Sequence, residues 1–419
     1  MNEKGVEGSG RKRDRNADLI RCVAVYSVLS VHFLLNSGFY SVPVTGTDML
    51  VMCMVRSLFM TCVPLFLLLT GYLMSHKTLS RRYYRGIWKT VEIYVLASIA
   101  CLLFKKFWLE NDVTLRTAVL DILDFDGANY AWYIEMYIGL FLMIPFLNLA
   151  YNGLKSKREK QVLVWTMIAI TMLPKLLNNF DFRTPGWWGN PSASTKYDPL
   201  VPGFFTAMYP VTYYFIGAYL REFGRGRAAD SQLPGVGSGT VRLTDTADGR
   251  LPGTGSGMVR PSDTGSLRTD KLWLRRAVNL LLLVLAVAVL GCYNFWRSDG
   301  GSFVWAANST WGGENLITAY LEFSFLLSLR LDRLPRALQA IMTYISKISL
   351  GIYLISWIFD KLIYALLKTY VLATNDRWPY YFIVVPSVFL CSMAGASLLY
   401  LIQWLLRGMT GRIRHRGKK

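Results

Sequence analysis

Residues 18–39 read DLIRCVAVYSVLSVHFLLNSGF, an apolar run of bilayer length interrupted by an aspartate, an arginine and a histidine. Comparable runs recur near 50–74, 87–104, 130–150, 161–178, 204–221, 274–296, 313–331, 348–371 and 381–406. Their spacing predicts an all-α polytopic membrane protein of ten transmembrane helices. Across the 419 residues, 53% are hydrophobic and only 17% charged, and the charges fall in clusters between the runs. A soluble chain of this length would spread charge over the surfaces of two or three domains. The net charge of +19 is therefore a by-product of topology rather than a sign of nucleic-acid binding. No small-residue cleavage site follows the first run, so it is expected to stay as an uncleaved span. The six cysteines all lie within apolar runs without metal-like spacing, and no metal is expected.

Charge sets the orientation. Basic residues gather at Arg11 to Arg15, Lys77 to Lys89, Lys155 to Lys160, Arg221 to Arg276, Arg330 to Lys347 and Arg407 to Lys419. The intervening loops carry acids such as Asp121, Asp124, Asp126, Asp181 and Asp198. Alternation of this kind puts both termini in the cytoplasm and requires an even number of helices. The chain then divides into a basic cytoplasmic tail (1–17), helices one to six (18–223), a polar segment (224–270), helices seven to ten (271–406) and a second basic tail (407–419). In the polar segment, Leu233 to Thr246 (LPGVGSGTVRLTDT) is echoed by Leu251 to Thr264 (LPGTGSGMVRPSDT), a period of 18. Two copies of such composition cannot bury a core, so a disordered cytoplasmic loop grown by duplication is expected.

Ionisable groups inside a bilayer are costly and point to function. Arg21 and His32 are eleven helical steps apart, which returns nearly to the same face over a rise of roughly 16 Å. Arg21 belongs at the inner rim and His32 in the outer half. An anionic head at the arginine with a thin arm reaching the imidazole would match that geometry, and coenzyme A has this shape. The alternative is a snorkelling anchor and a packed polar residue, which accounts for Arg21 but leaves His32 unexplained. Asp18 stands one turn before Arg21, at i,i+3 spacing for an ion pair. Glu135, in AWYIEMYIGLFLMIP, reaches a depth close to that of His32 and is a candidate to orient the imidazole. Glu92, Arg56, Glu322, Asp360 and Lys361 also lie in or near spans, where pairing with one another is the default. In the basic loop HKTLSRRYYRGIWK, Arg82 and Arg85 suit a polyanion, although topology alone also explains such a loop. Aromatic clusters at Trp132 and Tyr133, Trp187 and Trp188, Trp305 and Trp311, and Trp378 to Tyr381 fit an interfacial belt or, at an outer site, the stacking of sugar rings.

These strings resemble acyltransferase family 3, the ten-helix bacterial envelope acyltransferases. Asp18-Leu-Ile-Arg21, followed after ten intervening residues by His32, is similar to that family's first-span signature. Pro64 to Tyr72 resembles the second-span phenylalanine-serine-glycine region, with Thr70 in the usual serine place. Arg82-Tyr-Tyr-Arg85 looks like the paired-arginine motif, Trp132 to Pro145 the fourth-span pattern, and Ser349 to Ile355 the ninth-span motif. That last motif commonly ends in histidine; Ser356 stands there, so any second-histidine role is absent or moved.

The resemblance implies transfer of an acyl group, usually acetyl from cytoplasmic acetyl-CoA, to a hydroxyl of an envelope polysaccharide or lipid-linked glycan. It also implies a multi-pass protein of the bacterial plasma (inner) membrane. His32 would be general base or transient acyl carrier, Glu135 its orienting partner, and Arg21, Arg82 and Arg85 the phosphate-binding residues, with Asp18 supporting. No hydrolase-like domain is expected after span ten, so one domain completes the transfer or hands the acetyl group on. The rival reading is a transporter of a small amino acid or envelope precursor, for which buried charges also speak but duplicated halves are lacking.

Overall fold

The structure is a computed structural model that describes residues 13–224, 264–305 and 311–416, with side chains described for all but 264–272 and 409–416. Helix α1 covers Arg15–Ser37. The Asp14 side chain caps it by accepting from the Ala17 N–H, and Gly38 closes it at φ 92°, where a Cβ would be strained. Next come α2 (Gly46–Phe59) and α3 (Cys62–Met74), one apolar stretch broken at Met60 and Thr61. The break follows from Pro64, which has no N–H to give the Met60 carbonyl. At the break the Thr61 hydroxyl lies 2.8 Å from the Leu58 carbonyl and 2.7 Å from the Glu322 carboxylate.

Short α4 (Arg81–Tyr84) leads into α5 (Trp88–Phe107), amphipathic α6 (Leu115–Leu123) and α7 (Trp132–Gly153). Helices α8 (Lys157–Thr171), α9 (Leu173–Leu177) and α10 (Tyr209–Phe223) follow, then α11 (Thr264–Ser298) and α12 (Gly313–Ser328). Two long helices, α13 (Arg336–Tyr370) and α14 (Tyr381–Arg416), complete the order. A capping box opens α8: Ser156 accepts from the Glu159 N–H, and the Glu159 carboxylate accepts from Ser156 and Lys155. Those backbone donors hold the Glu159 carboxyl below the usual carboxylate range.

The protein is an all-α membrane protein. Every span expected from the sequence carries a helix, but seven stretches are long and apolar enough to cross a bilayer among the described residues. The other three, α8, α10 and α12, have 15, 15 and 16 residues, fewer than the roughly 20 that a crossing needs. Among the described residues there is no strand, only an isolated bridge between Val44 and Asp299. Helix α11 already begins at Thr264, so the end of the 224–270 segment is helical; the tandem repeat itself, up to residue 263, lies outside the described residues.

Helix α1 is the central post, packed against α13, α3, α14, α2 and α12. Beside it, α3 and α10 meet backbone to backbone. A Cβ on Gly71 would lie 1.9 Å from the Tyr214 carbonyl oxygen, and one on Gly217 would lie 2.0 Å from that of Leu68. Only glycine fits at both places, the small-residue packing that membrane helices use to approach closely. Asn148 of α7 ties this pair to the chain that follows α3. Its amide donates to the Met74 and Lys77 carbonyls at 2.8 and 2.7 Å, while its oxygen accepts from the Tyr214 hydroxyl at 2.6 Å.

The five charges in or near spans do not pair with one another as expected. Arg56 Nη1 lies 3.5 Å from Glu314 Oε1, Glu322 takes Thr61, and Glu92 takes Gln403 and Arg407. Lys361 lies 5.7 Å from the Trp357 ring centroid. Asp360 has a different partner.

Candidate active site

A cavity of about 810 Å³ runs along one side of α1. Its two ends are chemically unlike. Arg21, Lys77, Ser346 and Lys347 line one end, whereas Tyr40, Trp132, Trp305 and Trp311 line the other. His32 stands between them with Tyr130, Tyr133, Tyr137 and Tyr353. The helical spacing that put Arg21 and His32 on one face thus puts both on one cavity wall.

At the Arg21 end, Asp18 is 1% exposed and organises four groups. Arg13 reaches it with Nε at 2.6 Å and Nη2 at 2.8 Å, the bidentate geometry that makes arginine–carboxylate pairs strong. The Ser346 hydroxyl donates to it at 2.6 Å and the Thr343 hydroxyl at 3.3 Å. Arg21 Nη1 lies 3.5 Å from the same carboxylate and donates to Ser346 Oγ at 3.4 Å. The expected i,i+3 pair exists, but Arg13 holds the tighter share of Asp18. Arg21 is left with its remaining donors free to meet an anion from the cavity.

In the middle, His32 meets a carboxylate that sequence reasoning had not assigned to it. Its Nδ1 lies 3.3 Å from Asp360 Oδ2, and Asp360 is 1% exposed. The Tyr130 hydroxyl donates to the same oxygen at 2.9 Å and accepts from Asn36 Nδ2 at 3.3 Å. The Tyr130 ring packs on the imidazole with centroids 3.9 Å apart, and Tyr353 donates to the Tyr130 carbonyl. The Nδ1 approach is close enough for an ion pair yet makes no aligned hydrogen bond, a looseness common in catalytic pairs without substrate. With Nδ1 fully buried against Asp360, Nε2 on the other side of the ring is the nitrogen open to the cavity. A carboxylate at Nδ1 fixes the tautomer and stabilises the imidazolium once Nε2 has taken a proton.

Glu135, expected to orient His32, is exposed and is not on the cavity wall. The reason is helical phase: Tyr133, Ile134 and Tyr137 of α7 face the cavity, so the position between them on the other face points away. Arg82 and Arg85 are likewise exposed and are not brought to the cavity wall; Lys77 and Lys347 stand there instead. Asp360 could have been found from one signal. It lies one helical turn beyond Ser356 and on the same face, close to the place where the ninth-span motif commonly has its histidine. Ser356 itself is fully buried and donates to the Tyr353 carbonyl at 2.8 Å, which gives it a structural task.

Among the described residues no cluster of His, Cys, Asp and Glu could hold a metal ion. No curated protein and no solved structure matches the chain. A family model described as an acyltransferase domain matches residues 14–397, a stretch that includes both ends of the cavity and the His32–Asp360 pair between them, and the chain belongs to that family, acyltransferase family 3.

Proposed function

We propose that this membrane acyltransferase moves an acetyl group from acetyl-CoA to a hydroxyl of a cell-envelope polysaccharide or glycolipid in the bacterial plasma membrane. The observation that carries this reading is the single cavity with cations at one end, aromatic rings at the other and a carboxylate-backed imidazole between them. The Arg21 end then faces the cytoplasm, as the basic segments suggest, and the donor enters there. Arg21, Lys77 and Lys347 meet the phosphates of coenzyme A, and Ser346 steadies Arg21. The exposed Arg82 and Arg85 attract the polyanion to this face without lining the chamber.

His32 acts as general base. Nε2 accepts the proton of the acceptor hydroxyl while its oxygen attacks the thioester carbonyl. As the carbon–sulfur bond breaks, the same proton passes to the thiolate, so the products are an acetyl ester and coenzyme A. Asp360 steadies the imidazolium in between, and Tyr130 and Asn36 steady Asp360. Positioned proton transfer of this kind typically contributes about 10²- to 10⁴-fold in rate.

In membrane vesicles carrying the protein, labelled acetyl-CoA should pass label to glycan, and His32→Ala should reduce that transfer to background at unchanged protein level. Transfer retained by His32→Ala would remove the catalytic role. Solute uptake independent of acetyl-CoA, with no labelled glycan, would replace the enzyme by a transporter.

A further inference from the structure

We propose that the Trp132 end of the cavity is the acceptor subsite and that it accepts an uncharged sugar ring; this rests on the acyl-transfer reading above. Three parts of the chain bring four aromatic residues to that end. Tyr40 follows α1, Trp132 opens α7, Trp305 comes after α11, and Trp311 precedes α12. They meet in two stacked pairs. Tyr40 and Trp305 have centroids 4.8 Å apart at 26°, and Trp132 and Trp311 lie 5.7 Å apart at 12°.

An interfacial belt needs rings that face lipid, yet all four of these line the cavity. Packing leaves Trp132 40% and Trp305 39% exposed, so the pairs do not use up their own surface. The contrast with Trp187 is direct. That ring also sits among aromatic neighbours, Trp188 and Trp296, but is 2% exposed, with the Arg297 guanidinium over it, and offers no open face. Aromatic faces carry the negative part of the ring quadrupole, which suits the polarised C–H face of a pyranose, and the indole N–H can donate to its hydroxyls.

Charge decides the class of sugar. Among the described lining residues, the cations Arg21, Lys77 and Lys347 stand at the far end, and no carboxylate lines the cavity. The guanidinium nearest the aromatic end is that of Arg56, which is wholly buried behind the rings rather than on the wall. It lies 4.5 Å from the Phe303 centroid and 5.1 Å from that of Trp305, donates to the Tyr40 hydroxyl at 3.2 Å and faces Glu314 at 3.5 Å. Glu314 faces its charge and its Nε is directed at Tyr40, so Arg56 is a positioning residue for Tyr40 and Trp305. A carboxylated or phosphorylated sugar would lose water here without meeting a charged group among the described lining residues at this end, whereas a neutral ring loses little.

The test has two arms. Mass spectrometry of envelope glycans from cells with and without the protein identifies which sugar carries the protein-dependent acetyl ester. A hexose, deoxyhexose or N-acetylhexosamine is expected. In vesicles, with that purified glycan as acceptor, Trp132→Ala and Trp305→Ala should each raise the half-saturating glycan concentration about two- to tenfold, leaving that for acetyl-CoA unchanged. Trp305→Phe should restore most of the loss. An ester on a uronic, sialic or phosphorylated sugar, or an unmoved glycan dependence in both alanine variants, would overturn the subsite and leave acyl transfer standing. No protein-dependent ester on any sugar would overturn the acyl-transfer reading and the subsite with it.

Discussion

The two ends of the cavity are built by opposite means. At the Arg21 end, charges are organised by a buried carboxylate: Asp18 holds Arg13 and Ser346 tightly and Arg21 more loosely. At the Trp132 end, the Arg56 guanidinium is buried behind the rings and faces Glu314, so flat apolar surface meets the cavity. The first arrangement presents positive charge and the second conceals it. On the proposed reading, two ligands of unlike charge would share one chamber without exchanging places, because each end disfavours the other's partner. His32 stands where the two environments meet, and Asp360 makes the change of environment useful by biasing one nitrogen of the ring.

The sharpest way to break this comparison is at its midpoint. Asp360→Asn preserves the shape but removes the charge behind Nδ1, and acyl transfer should fall about 10²- to 10⁴-fold with the half-saturating concentrations of both ligands nearly unchanged. Steady-state rates in vesicles check this, and a shift confined to half-saturation would make Asp360 a packing residue. Arg21→Ala should raise the half-saturating acetyl-CoA concentration about tenfold or more, since a charge-assisted hydrogen bond contributes about 1.5–3 kcal/mol. Lys347→Ala, at an exposed position, should raise it no more than about fivefold, and the glycan dependence should stay put in both variants. The smallest effect is expected from Glu135→Gln. That exposed carboxylate touches neither end of the cavity, and transfer should stay within about twofold of the unaltered protein.

Much of the architecture was legible in the one-dimensional pattern. Apolar length and the alternation of Lys and Arg located a helix at every expected span, because bilayer thickness and charge asymmetry are read locally along the chain. The same holds for Arg21 and His32, whose shared face follows from helical period alone. What was not legible is the partner of a residue across helices. Depth along the membrane normal made Glu135 as good a candidate as Asp360, but depth says nothing about rotation about the helix axis. Helix α7 turns Glu135 outward, while α13, packed against α1, turns Asp360 onto His32. Of the residues expected to hold phosphate, only Arg21 lines the cavity. Arg82 and Arg85 have the right sequence character, but they stay exposed, whereas Lys77, whose carbonyl Asn148 holds, and Lys347, next to the Asp18-bound Ser346, line the cavity. Short α8, α10 and α12 show a further limit, since hydropathy extends a span into flanking loop residues that the helix itself does not include.

The seam between Gly71 and Gly217 has a consequence for the size of what the chamber admits. Phe66 and Thr70, within a turn and a half before Gly71, belong to the cavity wall, and another side of α3 rests directly on the backbone of α10. That contact is a mechanical stop. No side chain can compress to absorb an error there, because the opposing atoms are main-chain carbonyls. The bore of the chamber is thus gauged by two hydrogen atoms on residues that never meet a ligand, and a single methyl group at either place would be transmitted as a change in calibre on the far side of the helix.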